Sequence, residues 1–324
     1  MRLATYVSPS DGRQRVGLLK VDHLHGLRLD GSLLSLLTDG GLEEAGRFAE
    51  SDPFEVIPMG QASLCAPIPR PPSIRDFMSF EAHVVTSMRA LGSDIHPGWY
   101  EGPVFYFTNP AATRGPNDDV PTPPGSREFD YELEVGAVIG RAGSDLHPDE
   151  AEEYIAGYVV LCDWSARDLQ AREMPQQLGP AKGKDTATGF SGFLVTPDEL
   201  EPFRVGKGFD LRMTASVNGK VYSEGNFSDL YWSFPEMVAY ASRGTTLVPG
   251  DVIGSGTVGT GCILEQSRVH GLDRYPYLQP GDIVRLEIEQ IGVIESRIVP
   301  GPDLKPFCDR DQAIADAFAA NASL

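Results

Sequence analysis

Short runs of alternating apolar and polar residues open the chain. Residues 3–7, 15–20 and 26–28 read as strands between polar turns, the pattern of a small β-rich unit. Residues 33–37 and 42–51 look like short helices around a Gly-Gly stop. Residues 66–72 then carry four prolines in seven positions. Such a stretch continues neither a helix nor a central strand, so it reads as an extended linker. The boundaries drawn are 1–70 for an N-terminal α+β domain, 71–300 for a larger domain and 301–324 for a tail.

Beyond the linker the period keeps changing. Residues 77–91 are helix-like, and 115–127 form a polar loop rich in Pro, Gly and Asp. Residues 131–139 and 158–162 read as strands, and 148–154, 165–172 and 233–242 as helices. Residues 209–221 alternate toward Asn218-Gly219, a strong hairpin signal. Pro-Gly-Asp turns at 249–251 and 280–282 launch strands at 252–253 and 283–288, and one short helix is expected near 312–320. Strands dominate and helices are not regularly interleaved with them. The predicted class is α+β, mostly β and antiparallel, not a doubly wound parallel sheet.

Charge narrows the function classes. The 27 Lys and Arg against 46 Asp and Glu leave a formal charge of −19, so no positive field gathers nucleic acid. No apolar run approaches the ~18 residues of a membrane span. The N-terminus lacks the apolar stretch of a signal peptide, which makes the cytoplasm the expected compartment. Cys65, Cys162, Cys262 and Cys308 are scattered. They read as buried free thiols, not as a zinc site or a disulfide framework.

Candidate chemistry lies in a few segments. Gly254, Gly256 and Gly259 match the letters of the dinucleotide fingerprint. Residues 260–264 do not read as a helix start, however, and that anion site needs a helix N-terminus. The glycines read instead as a turn that lets backbone approach a small ligand. There is no Gly-x-Ser-x-Gly elbow and no His-Glu-x-x-His helix. Glu132 and Glu134 fall two apart on a predicted strand and point the same way, with Leu133 opposite. Asp163 closes another apolar run. Either a hard cation sits among these oxygens, such as Mg2+, Mn2+ or Ca2+, or they form a solvated acidic face. Arg167 and Gln170, three apart, share a helix side. Lys184 lies in a small-residue loop. Asp76 and His83, seven apart, are about two helical turns from each other and would share a face.

Taken together these segments resemble the fumarylacetoacetate hydrolase family over roughly residues 74–299. Asp76-Phe77 with His83, Asp130-Tyr-Glu-Leu-Glu134, Asp163-Trp-Ser-Ala-Arg-Asp-Leu-Gln170, Gly183-Lys184 with Thr188, Ser255-Gly-Thr257 and Gly261-Cys-Ile-Leu-Glu265 stand in the family's order. The resemblance implies a distorted β-roll catalytic domain, a homodimer and a divalent metal. It makes Glu132, Glu134 and Asp163 the ligands and Asp76 a fourth, with Lys184 and Thr188 beside the ion. It makes His83 the general base, Glu265 the carboxylate that orients it, and Gln170 and Thr257 substrate contacts. Met78 and Met174 stand where the fumarylacetoacetate-cleaving member has substrate-touching tyrosines, and Tyr106 is a candidate replacement. Acylpyruvase-like members use a His-x-x-Glu pair; here Thr86 stands three residues after His83.

The expected activity is metal-dependent hydrolysis of a C–C bond in a β-diketone or acylpyruvate-type 2-oxo acid, as in aromatic catabolism. His83, held by Glu265, would take a proton from water. Lys184 and Gln170 would stabilise the oxyanion, with Arg167 helping or anchoring a substrate carboxylate. Lys184, Arg167 and Arg75 would offset the local negative charge together with the ion. The ligands alone do not separate hydrolysis from decarboxylation, hydration or isomerisation of an oxo acid; the His83 and Glu265 combination favours hydrolysis. A non-catalytic binding protein on the same fold is the reading from another class, and the sequence lacks neither ligand nor base.

Overall fold

The computed structural model describes residues 1–304, Asp30 and Leu91 excepted. Cys308 and the helix expected near 312–320 lie outside the described residues. The opening runs form β1 (Arg2–Val7), β2 (Gln14–Lys20) and β3 (His23–Gly26), followed by α1 (Leu33–Thr38), α2 (Leu42–Ser51) and β4 (Glu55–Pro58). The Ser32 side chain caps α1 by accepting from the Ser35 amide, satisfying one of the donors a helix start leaves free. The proline-rich stretch carries no helix or strand and leads into β5 (Ile74–Phe77).

The elements that follow are α3 (Glu81–Ala90), β6 (Phe105–Thr108), β7 (Leu133–Ile139), β8 (Ile155–Asp163), α4 (Arg167–Glu173), β9 (Thr188–Phe190) and β10 (Leu194–Val195). After them come β11 (Arg212–Val217), β12 (Lys220–Asn226), α5 (Phe234–Ser242), β13 (Val252–Gly254), α6 (Ile263–His270), β14 (Ile283–Ile288) and β15 (Gly292–Val299). One sheet runs β4-β3-β2-β1-β10-β8-β7-β13-β5-β6, and a second runs β12-β11-β14-β15. Nearly all neighbours are antiparallel; β13 beside β5 is a parallel exception. The fold is a mostly-sheet α+β architecture. Asn218 and Gly219 turn β11 into β12 with φ of 51° and 78°, as a two-residue hairpin loop requires.

β7 and β8 are buried along their whole length, so each face meets a different core. Leu133, Val135, Ala137 and Ile139 join Tyr158, Val160 and Cys162 in the core shared with β11, β14 and β15. Val138, Val159 and Leu161 face the other way, against Leu3, Val16 and Leu18 of the N-terminal strands. Strand alternation puts Glu132 and Glu134 on this second side.

Two local readings are corrected. The helix expected over 77–91 begins only at Glu81, and Asp76 lies on strand β5. Pairing of β5 with β13 and β6 extends the segment, and Ser79 then binds the Ser255 carbonyl through its amide and hydroxyl. Asp76 and His83 therefore share no helix face. A helix also does follow the glycine-rich turn, at Ile263. Its start is not open to an anion, because the Asp130 carboxylate accepts from the Ile263 and Leu264 amides at 2.7 and 3.0 Å.

Candidate metal and acid–base site

Three strands bring three carboxylates together. Asp76 comes from β5, Glu134 from β7 and Asp163 from the end of β8. One oxygen of each lies within 4.8 Å of the others. All three side chains are buried, and Asp76 Oδ1, Glu134 Oε1 and Asp163 Oδ1 have no hydrogen-bond partner among the described residues. Gly254 makes the space: a Cβ there would stand 2.5 Å from Asp76 Oδ1 and 3.3 Å from Glu134 Oε2. Gly256, at a φ of +76° that favours glycine, donates its amide to Glu134 Oε2 at 3.1 Å. Tyr106, opposite Asp76 in the β5–β6 register, donates its hydroxyl to Asp163 at 2.7 Å.

Burial raises the pKa of Asp76, and burial with Asp76 beside it raises that of Glu134 well above the ordinary range. Burial pushes Asp163 up to about 8, with Lys184 pulling it down and Glu132 and Asp76 adding to the rise. Buried carboxyls without countercharge favour the protonated form.

The neighbouring carboxylates are paired. Lys184 Nζ lies 2.6 Å from Glu132, 2.5 Å from Asp163 and 3.0 Å from the Ser165 hydroxyl. An ammonium has three donors, so this arrangement leaves none for a substrate oxyanion. Arg167 reaches Glu132 at 2.7 Å and grips Asp130 through Nε and Nη2, each at 2.8 Å. Burial opposes ionisation of Glu132, but Lys184 and Arg167 hold its carboxyl well below the usual range. Five buried carboxylates (Asp76, Asp130, Glu132, Glu134, Asp163) thus face two fixed cations. The deficit is concentrated on the trio, each member of which keeps one oxygen without a partner, and an all-oxygen donor set of this kind suits a hard divalent cation.

The acid–base groups come from two packed helices. His83 lies in the first turn of α3 and Glu265 in the first turn of α6. His83 Nδ1 is 3.0 Å from Glu265 Oε2. The Glu132 backbone bridges to that of Cys262, the residue that starts α6.

The remaining expected residues divide between the site and the surface. Gln170 is half-buried and accepts from Arg167 at 3.2 Å. Thr188 is buried opposite Asp163 with an unpartnered hydroxyl, and Thr257 is buried in the turn before α6. Met78 and Met174 are surface residues, 37% and 49% exposed. Arg75 is turned away, toward Ser73 at 2.6 Å and Asp251 at 3.5 Å. It adjoins Asp76 on a strand, so the two side chains take opposite faces.

Three residues have a positioning role that the sequence alone does not assign. Asp130 joins the α6 cap to Arg167; it lies two residues before Glu132, and strand alternation was the available signal. Gly254 offered only its place in a glycine-rich segment. Glu173 accepts from the amides of Ala181, Lys182 and Gly183 at 2.9, 2.7 and 3.1 Å. No side-chain pattern announces that contact, because its partners are backbone.

The family model described as fumarylacetoacetate (FAA) hydrolase C-terminal matches residues 73–299. The human mitochondrial oxaloacetate tautomerase FAHD2A is 30% identical over 245 residues, 75% of this chain and 72% of that one. The 2,4-didehydro-3-deoxy-L-rhamnonate hydrolase of a Sphingomonas species is 32% identical over 222 residues, 68% of this chain and 70% of that one. Among solved structures, maleylpyruvate hydrolase from a Sphingobium species, in complex with manganese(II) and pyruvate, superposes with a TM-score of 0.69 at 26% identity, covering 93% of this chain and all of that one. No helix among the described residues is long and apolar enough to cross a membrane.

Proposed function

The chain belongs to the fumarylacetoacetate hydrolase family, whose members include hydrolases, isomerases and tautomerases, and from that premise we propose that it is a divalent-metal-dependent hydrolase of a C–C bond in a β-diketone or acylpyruvate-type 2-oxo acid. The observation that carries this reading is the buried His83–Glu265 contact together with a trio of carboxylates that each keep one unpartnered oxygen. Asp76, Glu134 and Asp163 would hold the ion, and their orphaned oxygens are what fits it. When bound, such an ion supplies Lewis-acid polarisation of a carbonyl.

The protein's own groups do the rest. Glu265 Oε2, 3.0 Å from Nδ1, would keep a proton on that nitrogen, so His83 would take the proton from water at Nε2. Arg167 occupies the Gln170 amide oxygen, which leaves that side chain's NH2 as a donor toward an oxyanion. Lys184 and Arg167 keep Glu132 ionised, while Tyr106 fixes Asp163.

The test is turnover with Mg2+ or Mn2+ on acylpyruvates, fumarylpyruvate, fumarylacetoacetate and oxaloacetate, with products read by mass spectrometry. Hydrolysis adds water and splits the molecule. In His83→Ala, kcat is expected to fall ~10²–10⁴-fold, the usual scale for a general base. Activity that survives exhaustive chelation, or an unchanged kcat in that variant, overturns the scheme.

Isomerisation or tautomerisation is the second reading. Its support is that a single base next to a polarised carbonyl suffices for it, and that a relative is named an oxaloacetate tautomerase. A product of unchanged mass, with solvent deuterium taken up at the carbon beside the carbonyl, would select it.

A further inference from the structure

Cys262 has no part in that chemistry, yet its thiol lies against the carboxylate that faces the base. Its Sγ is 3.8 Å from Glu265 Oε2, and the imidazole Nδ1 of His83 is 3.0 Å from the same oxygen. One donor atom from each of the three residues falls within 4.8 Å of the other two. All three residues are at least nine-tenths buried, and Glu265 Oε1 has no hydrogen-bond partner among the described residues.

These donors differ in kind from the oxygen-only trio. Nitrogen, sulfur and a single carboxylate suit a soft or borderline ion, whereas Mg2+ and Ca2+ prefer oxygen alone. Zinc bonds of ~2.0–2.3 Å set neighbouring donors roughly 3.3–3.6 Å apart around a tetrahedral ion. The observed separations bracket that range, so small side-chain movements would close the site. The donors also come from a compact scaffold: Cys262 starts α6, Glu265 is in its first turn, and α3 carries His83 alongside.

We propose that His83, Cys262 and Glu265 form a second cation site, selective for a thiophilic divalent ion of the zinc class and separate from the carboxylate trio. An ion held there replaces the His83–Glu265 contact and displaces the thiol proton. It uses the Nδ1 electron pair and unhooks the imidazole from its carboxylate, so occupancy silences the base. Zinc-class ions would therefore inhibit while a hard ion still fills the trio. The ligation stands on geometry alone; only its inhibitory consequence rests on the function proposed above.

The experiment titrates the Mg2+-loaded protein with Co2+ and reads absorbance. Cobalt bound by the thiolate gives a sulfur-to-metal charge-transfer band in the near ultraviolet, whereas cobalt displacing Mg2+ from carboxylates gives none. The band is expected in the parent and absent in Cys262→Ser, with circular dichroism checking the fold and Cys262→Ala as a second variant. No band in the parent overturns the inference without any variant, and so does a band that persists in a folded Cys262 variant. With a turned-over substrate, Zn2+ in the presence of saturating Mn2+ should inhibit Cys262→Ser at least ~10-fold more weakly than the parent, since even outer partners of a metal site are worth 10–100-fold in affinity. Equal inhibition overturns the regulatory half. If no substrate is found, the absorbance result decides the site alone; if turnover is found but the band is missing, only this inference falls.

Discussion

Glu132 and Glu134 sit two residues apart on one side of β7, both buried, and live under opposite electrostatic conditions. Glu132 divides its oxygens between Lys184 and Arg167. Glu134 receives one backbone amide and otherwise faces Asp76 and Asp163. One side of the site is thus internally neutralised and the other is short of positive charge. A buried charge is tolerable only when paired. On the function proposed above, the paired side would act as scaffold and the other side would draw its countercharge from a bound cation.

The sharpest break of that contrast is a pair of isosteric substitutions. In Glu134→Gln, Mn2+ affinity is expected to drop by about 100-fold or more, beyond the loss seen for outer partners. Stability of the metal-free protein should hold, and rise at high pH, because the substitution removes a buried carboxyl that ionises there without a countercharge. In Glu132→Gln the pattern reverses: Lys184 and Arg167 lose a shared partner, stability falls by about 3–5 kcal/mol, and Mn2+ still binds. Calorimetric titration and urea unfolding read both halves. Tight Mn2+ binding by Glu134→Gln would erase the distinction.

pH sharpens it further. Asp76, Glu134 and Asp163 have pKa values raised by burial in the fold, so each favours its proton more in the folded than in the unfolded chain. Their stability contribution is full below the ordinary carboxyl range and is lost as pH rises through the folded values, about 8 for Asp163. A bound cation removes that loss. The stabilisation by Mn2+ should widen from near nothing at about pH 4 to about 3–4 kcal/mol at about pH 8, for ion at 100–1,000 times its Kd. Urea midpoints with Mn2+ and with chelator give the two curves; a gap that does not widen with pH contradicts a trio short of positive charge.

Asp130 links the two sides, and its substitution should have the next largest effect. Its carboxylate accepts from the Ile263 and Leu264 amides and pairs with Arg167. It therefore fixes both the helix that carries Glu265 and the guanidinium that holds Glu132. Asp130→Asn keeps one acceptor oxygen and loses the charge, with an expected loss of about 2–3 kcal/mol. Turnover should fall with it while Mn2+ affinity persists. Unchanged turnover would confine Asp130 to capping.

What could be read from the sequence follows the range of the interactions. Strand alternation is local, so residues 131–139 already showed Glu132 and Glu134 facing one way. The Asn218-Gly219 hairpin was legible for the same reason. The local pattern sets Asp76 against a helix, whereas its strand exists only through pairing with Val252–Gly254 and Phe105–Thr108, contacts distant in the chain. The helix after the glycine-rich turn has no local start signal because its capping group, Asp130, lies more than a hundred residues upstream. Which carboxylates are paired also depended on Lys184 and Arg167, whose reach no spacing rule specifies.

The smallest effect belongs to the loop that delivers Lys184. Glu173 closes α4 and accepts three consecutive amides, those of Ala181, Lys182 and Gly183, immediately before Lys184. Those bonds hold a segment with little regular structure in place, so that the ammonium arrives between Glu132 and Asp163. Glu173→Gln retains one acceptor and turns an NH2 group toward donors. The expected loss is about 1–2 kcal/mol, the scale of a disturbed hydrogen bond to a charged group. Because the loop opens locally, global stability should move less than amide exchange at residues 181–184, which should quicken. Turnover should fall only a few-fold, in proportion to the fraction of molecules with Lys184 displaced. Exchange at 181–184 as slow as in the parent would mean that the loop is held by something other than Glu173, and that the paired side of the site is built without it.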